Sequence, residues 1–169
     1  GGPCLGLGIS NGIALGCAMD KNPARVFCLM GDGELNKGAV WESVAAASLY
    51  RLKNLYAIVD VNGVRMGTPL DAHDSPEALK SRFEAFGWKV FHADGHSFKS
   101  LAEAFGEMME NPAGPGVLLA KTQWGRGVFS AEVDNGKALA SPNRERVENA
   151  LLELERAGKT LEEESNDEP

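Results

Sequence analysis

Cysteine, histidine and aromatic residues are all scarce in this 169-residue chain, with three cysteines, three histidines and 7% aromatics. Cys4, Cys17 and Cys28 are too few and too irregularly spaced for a disulfide scaffold or a zinc site. Cys17 and Cys28 lie in apolar stretches and read as small core residues in a reducing, cytoplasmic setting. No apolar run reaches the ~18 residues of a membrane span, and no secretory leader is visible. The chain opens on Gly1-Gly2-Pro3 rather than Met, as though a segment preceded it. A basic excess is missing too: 17 Lys and Arg stand against 24 Asp and Glu, a formal charge of −7. That argues against a nucleic-acid surface, which needs cations to meet phosphate. Five of the acids (Glu162, Glu163, Glu164, Asp167, Glu168) fall in the last nine positions, so the charge describes the tail more than the body. What remains, 43% hydrophobic and 24% charged, is the composition and length of one globular domain.

Four apolar runs fit buried strands, at Val26–Met30, Leu55–Val61, Lys89–Ala93 and Val117–Lys121. Helical patterns lie between them: Ile9–Met19, an alanine-rich Ala39–Leu52, Pro76–Phe86, and Phe98–Met109 with Ser97 as N-cap and Asn111-Pro112 as stop. Strand alternating with helix predicts an α/β fold, a mainly parallel sheet with helices on both faces. After Lys121 the order loosens into a glycine-punctuated loop, Trp124-Gly125-Arg126-Gly127. A last amphipathic helix is expected over Arg144–Ala157, with Gly158 as C-cap and a disordered acidic tail over 161–169. The expected organisation is a domain over 1–136, a helical extension over 137–160 and that tail.

The chemistry is concentrated at two strand ends. Gly31-Asp32-Gly33-Glu34 follows the first strand directly and puts a carboxylate at the carboxyl edge of a parallel sheet, where open α/β folds bind ligands. Glycines flanking it allow backbone N–H groups close to a phosphate. Alone, this is a turn containing an Asp. The next strand ends in Asn62-Gly63-Val64, and Asn62 lies thirty residues after Asp32, the span of one βαβ unit. A carboxylate, an amide oxygen and a nearby backbone carbonyl suit a hard cation, Mg²⁺ or Ca²⁺. With one charged protein ligand, phosphate oxygens are expected to complete the shell, which makes the object a metal–diphosphate site.

These two turns resemble the thiamine diphosphate-binding motif, and the surrounding residues are similar to transketolases. The similarity runs through Gly31-Asp32-Gly33-Glu34-Leu35-Asn36-Lys37-Gly38 with Trp41-Glu42, Asn54–Asp60 with Asn62-Gly63, Phe86-Gly87-Trp88, Asp94-Gly95-His96, and Lys121-Thr122 with Gly125 and Gly127. It covers roughly Gly2 to Gly136 and matches the diphosphate-binding, N-terminal domain, as an incomplete or split subunit. The resemblance implies Asp32, Asn62 and the Val64 carbonyl as ligands of Mg²⁺ or Ca²⁺. It implies Leu5, Gly6, Gly31, Gly33, Glu34, Asn62 and Met66 around thiamine diphosphate, with the Gly33 N–H on the diphosphate and Met66 near the thiazolium ring. Glu42 corresponds to a family glutamate at the subunit interface. The implied activity moves a two-carbon ketol unit between sugar phosphates in the pentose phosphate pathway. It requires a pyrimidine-binding domain or subunit, in a homo- or hetero-oligomer.

The chain departs from the family at three places. Lys37 stands where a glutamate of an acidic relay is usual, Gly2-Pro3-Cys4-Leu5-Gly6 carries an inserted or altered residue, and Asn135 stands in place of a substrate-handling histidine. Among the histidines, His96 reads as a turn residue and His92 as a surface residue. His73 is a weak candidate for substrate contact from a loop. Trp41 and Trp88 read as core or interface. Two other readings stay open: a related enzyme of the 1-deoxyxylulose-5-phosphate synthase or 2-oxo acid dehydrogenase type, or a non-catalytic cofactor-binding remnant.

Overall fold

The computed structural model describes residues 4–65, 68–69, 75–110, 113–134 and 143–166. In chain order the elements are α1 (Gly6–Met19), β1 (Val26–Gly31), a 3₁₀ turn (Asp32–Asn36), α2 (Gly38–Leu49), β2 (Leu55–Val61), β3 (Val64–Arg65), β4 (Thr68–Pro69), α3 (Pro76–Ala85), β5 (Lys89–Asp94), α4 (Phe98–Met109), β6 (Gly116–Lys121), α5 (Phe129–Asp134) and α6 (Arg144–Asn166). They fall into two compact units, one of 1–63 and 70–122, the other of 64–69 and 123–169.

The first unit holds the main sheet, in the order β1-β2-β6-β5, with every neighbouring pair parallel. Because successive side chains alternate, the central strands β2 and β6 feed two cores. On one face Cys28, Met30, Ala57, Val59, Val117 and Leu119 pack with Leu7, Val40, Val44, Leu79 and Phe83 of α1, α2 and α3. On the other, Tyr56, Phe91 and Leu118 pack with Ala104 and Met108 of α4. Helices therefore lie on both faces, as the alternation of elements requires.

β1 is an edge strand of the described sheet, and it is unevenly covered: Cys28 and Met30 are buried while Leu29 is 72% exposed. α3 begins where Ser75 Oγ accepts from the Ala78 N–H at 3.2 Å, with Pro76 pre-set for the first turn. α4 begins on Ser97, whose Oγ accepts from Ser100 N–H at 3.3 Å. Its expected stop at Asn111-Pro112 lies outside the described residues. α2 ends at Leu49, three residues before the expected Leu52, because Arg51 turns into the left-handed region at φ 49°.

The second unit contains the β3–β4 antiparallel pair, α5 and α6. Gly125, at φ +73°, is required there: a Cβ would lie 2.6 Å from that of Ala131. The Glu132 carboxylate gathers the loop by accepting from the Gly127 N–H and from Gln123. α6 corrects the expected stop at Gly158 and the expected disorder from 161, since it runs to Asn166. An interior glycine costs a helix only ~1 kcal/mol, and the glutamates that follow are good helix formers. The boundary expected at Gly136 lies outside the described residues, and the first unit ends at Thr122. Among the described residues no helix is long and apolar enough to cross a membrane.

Candidate active site at the carboxyl edge of the sheet

β1 and β2 run side by side, Gly31 opposite Asp60, so their ends deliver Asp32 and Asn62 to the same edge. Asp32 is 1% exposed, and its Oδ2 accepts from the Gly63 N–H at 2.7 Å. The two turns found in the sequence are thus brought together. Gly63 sits at φ +74°, a turn conformation that glycine adopts without strain. Burial holds the Asp32 carboxyl above the usual carboxylate range, the Gly63, Gly33 and Asn62 N–H groups oppose that shift, and the neighbouring Asp60 adds to it. A carboxylate buried beside a second carboxylate is a place where a cation lowers the energy.

Asn62 is held by a residue that sequence reasoning overlooked. Asp60 Oδ2 accepts from Asn62 Nδ2 at 3.1 Å, and Asp60 Oδ1 accepts from the Thr122 hydroxyl. The bond from Asn62 Nδ2 sets the orientation of the Asn62 amide. The signal was an acidic residue inside the apolar run Leu55–Val61, two positions before Asn62 and therefore on the same face of the strand.

Glu34 binds protein rather than solvent. Its Oε1 accepts from the Gly31 N–H at 3.1 Å, closing the 3₁₀ turn, and its Oε2 accepts from the Cys4 N–H at 3.0 Å. Each carboxylate oxygen accepts one backbone N–H, so Glu34 ties the two segments together. The bond to Cys4 fastens the start of α1, including Leu5 and Gly6, to the Gly31–Glu34 turn. Cys4 is buried at φ 71°, so the altered residue of the opening segment occupies a left-handed position and Glu34 holds it there. Leu5, half exposed, precedes α1 and offers no side-chain cap to it.

The remaining candidates are scattered. Glu42 is exposed on α2, and Lys37 is exposed at its start. Val64 opens β3, in the second unit. Met66, His73 and Asn135 lie outside the described residues. His92 is exposed on β5, and the His96 N–H donates to Asp94 Oδ1 in a turn. Trp41 and Trp88 are structural: Trp41 Nε1 donates to the Leu35 carbonyl and Trp88 Nε1 to that of Val44. The three cysteines are free thiols, and burial pushes that of Cys28 up despite a bond with Ser10.

The donor set fits a hard divalent cation. Among the described residues no three His, Cys, Asp or Glu side chains are placed to hold a metal. A cation at Asp32 must therefore take amide, carbonyl or ligand oxygens, and diphosphate oxygens supply both ligands and neutralising charge. The architecture defines the class of open parallel α/β proteins, which bind their ligands at this carboxyl edge.

Comparison with known proteins narrows this class. The family model for the transketolase thiamine diphosphate binding domain matches residues 2–151, and the chain belongs to the transketolase family. Human transketolase is 43% identical over 128 residues, which is 75% of this chain and 20% of that protein. The crystal structure of Campylobacter jejuni transketolase aligns with a TM-score of 0.71 at 26% identity, covering 90% of this chain and 25% of that one. A Pichia stipitis transketolase solved with sedoheptulose-7-phosphate aligns at TM-score 0.64 and 18% identity, over 96% of this chain and 28% of that one, and shares the fold. The chain thus spans 20% to 28% of the length of these relatives.

Proposed function

We propose that this chain is the diphosphate-binding part of a thiamine diphosphate-dependent transketolase, which transfers a two-carbon ketol unit between sugar phosphates once a pyrimidine-binding domain or subunit completes the site. The observation that carries the reading is the joining of the Asp32 carboxylate to the Asn62-Gly63 turn. Family membership supports the cofactor, and the small fraction of each relative covered here supports the need for a partner.

In this reading Asp32 and Asn62 hold Mg²⁺ or Ca²⁺ through side-chain oxygens, with the Val64 carbonyl as third protein ligand. Asp60 and Thr122 fix the Asn62 amide. Gly31 and Gly33 leave room for the diphosphate, and Leu5, Gly6 and Met66 border the cofactor. The bound cofactor supplies a nucleophilic ring carbon and stabilises the charge that develops there. The chain's own residues bind, neutralise and orient, so that the reacting carbon is presented at a fixed angle. Glu42, exposed on α2, faces a partner subunit, and α2 with its small residues forms part of that contact. The three free thiols support a cytoplasmic setting.

A second reading has one specific support: Lys37 places a cation at the exposed start of α2, where the family resemblance expects an acidic relay. The chain would then bind cofactor without turnover. One experiment separates the two. The full chain is combined with a pyrimidine-binding transketolase domain and assayed for ketol transfer and for Mg²⁺-dependent thiamine diphosphate binding. Transfer supports the enzyme, binding without transfer supports the remnant, and absence of both contradicts the cofactor assignment.

A further inference from the structure

The Asp94-Gly95-His96 turn leaves the carboxyl end of β5, two strands away from the end of β2 that carries Asn62. Gly95 is not there for its backbone: its φ lies outside the left-handed region, so the conformation does not require glycine. Space requires it instead. A Cβ at Gly95 would lie 2.5 Å from Thr122 Cγ2 and 3.0 Å from the Lys121 carbonyl oxygen. The Thr122 methyl sits directly on Cβ and can move away only if χ1 turns. The Lys121 oxygen is held in place, since it accepts from the Gly95 N–H at 2.8 Å.

Thr122 links this turn to the cation site. Its N–H donates to the Val61 carbonyl at 3.1 Å, which ties the end of β6 to the end of β2. Its hydroxyl donates to Asp60 Oδ1, and Asp60 Oδ2 accepts from Asn62 Nδ2 at 3.1 Å. The methyl and the hydroxyl of a threonine share one carbon. A χ1 turn that takes Cγ2 away from a Cβ at position 95 therefore takes Oγ1 away from Asp60.

We propose that Gly95 is a positioning residue of the cation site. By leaving room for the Thr122 methyl it keeps the Thr122 hydroxyl on Asp60 and, through Asp60, holds the Asn62 amide in one orientation. The inference rests on the reading of Asp32 and Asn62 as cation ligands, and it extends the site to a third strand end.

The test is calorimetric titration of Mg²⁺ into the full chain at saturating thiamine diphosphate, with the Asn62 side-chain amide followed by NMR in the ligand-free chain. Gly95→Ala should weaken Mg²⁺ binding about tenfold or more, and should shift the Asn62 amide resonances before any ligand is added. The discriminating variant is Gly95→Ala/Thr122→Ser, which removes the obstructing methyl and keeps the hydroxyl. It should recover most of the lost affinity and return the Asn62 resonances toward their parent positions, a recovery that a general loss of stability does not produce. Thr122→Val keeps the methyl and removes the hydroxyl. It should weaken Mg²⁺ binding as Gly95→Ala does, and Gly95→Ala added to it should cost little more. Gly106→Ala, on α4 where a Cβ meets nothing within 4 Å, should bind as the parent does. Parent affinity in Gly95→Ala, or a loss that Thr122→Ser does not relieve, overturns the positioning role and leaves the cofactor reading standing. Unchanged affinity in Thr122→Val does the same, even if Gly95→Ala fails to fold. A parent chain that binds no Mg²⁺ with thiamine diphosphate overturns the cofactor reading, and this inference with it.

Discussion

The two ends of one parallel sheet carry opposite chemistry. At the carboxyl end Asp32 and Glu34 accept from backbone N–H groups, Asp60 accepts from the Asn62 amide and the Thr122 hydroxyl, and Asp32 pays for burial with a raised proton affinity. At the amino end Arg51, Lys53 and Lys89 stand around a cleft with one carboxylate. Parallel strands make the asymmetry possible, because each βα connection collects at one end and each αβ connection at the other. At the carboxyl end each of the three carboxylates accepts hydrogen bonds from protein, whereas at the amino end Arg51, Lys53 and Lys89 have no ion pair among the described residues. A wired end is built to hold a fixed cation and its ligand. The other end has unspent hydrogen-bonding capacity.

The largest expected effect comes from Asp32→Asn. It removes the charged ligand while keeping an oxygen for the Gly63 N–H, so the fold should survive while cation affinity falls by more than about 100-fold. Calorimetric titration of Mg²⁺ with thiamine diphosphate measures it. Asp60→Ala should follow, with a loss of about 10- to 100-fold, because the Asn62 amide is then free to rotate. The same titration, repeated with Asn62→Ala in a double-mutant cycle, should show that the two effects are not additive.

Glu34→Ala acts through the backbone. Losing the acceptors for Gly31 and Cys4 should cost about 1–3 kcal/mol of stability, read by denaturant unfolding, and should unfasten the start of α1.

The smallest effect is in the pH dependence. Asp32 has a raised folded value, so the folded chain binds more protons than the unfolded one above the ordinary carboxylate range. Its contribution makes cation-free stability fall as pH rises through the raised value. Saturating Mg²⁺ with thiamine diphosphate favours the ionised form and should flatten or reverse that slope. Asp32→Asn should remove the slope without added ligand. Thermal melts across the acid range check both.

Much of this was legible beforehand, and the reasons differ from part to part. The four strands of the main sheet lie where the apolar runs place them, because the central strands β2 and β6 are covered on both faces and the edge strands β1 and β5 each bury one. Asp32 and Asn62 were readable because a strand end, a glycine turn and a fixed spacing constrain both. Asp60 was missed because a lone acid in a strand reads as a surface residue until the Thr122 and Asn62 bonds to it are seen. Glu34 was placed at the right turn, and its bonds to the Gly31 and Cys4 N–H groups were not readable because Cys4 lies thirty residues away in the chain. The extent of α6 was underestimated because Gly158 and an acidic run look like stop and tail, although neither prevents helix propagation. The basic cleft was not singled out in sequence, since the Arg51 and Lys53 turn meets Lys89 and Glu110 only through the order of strands in the sheet.

The central claim is that Asp32 and the Asn62 turn share one divalent cation with a diphosphate. Electron paramagnetic resonance of Mn²⁺, titrated into the full chain with and without thiamine diphosphate, tests it most directly. The account predicts that the free Mn²⁺ signal is lost only when the diphosphate is present, and that Asp32→Asn restores it. Mn²⁺ uptake that is indifferent both to thiamine diphosphate and to Asp32→Asn would contradict it.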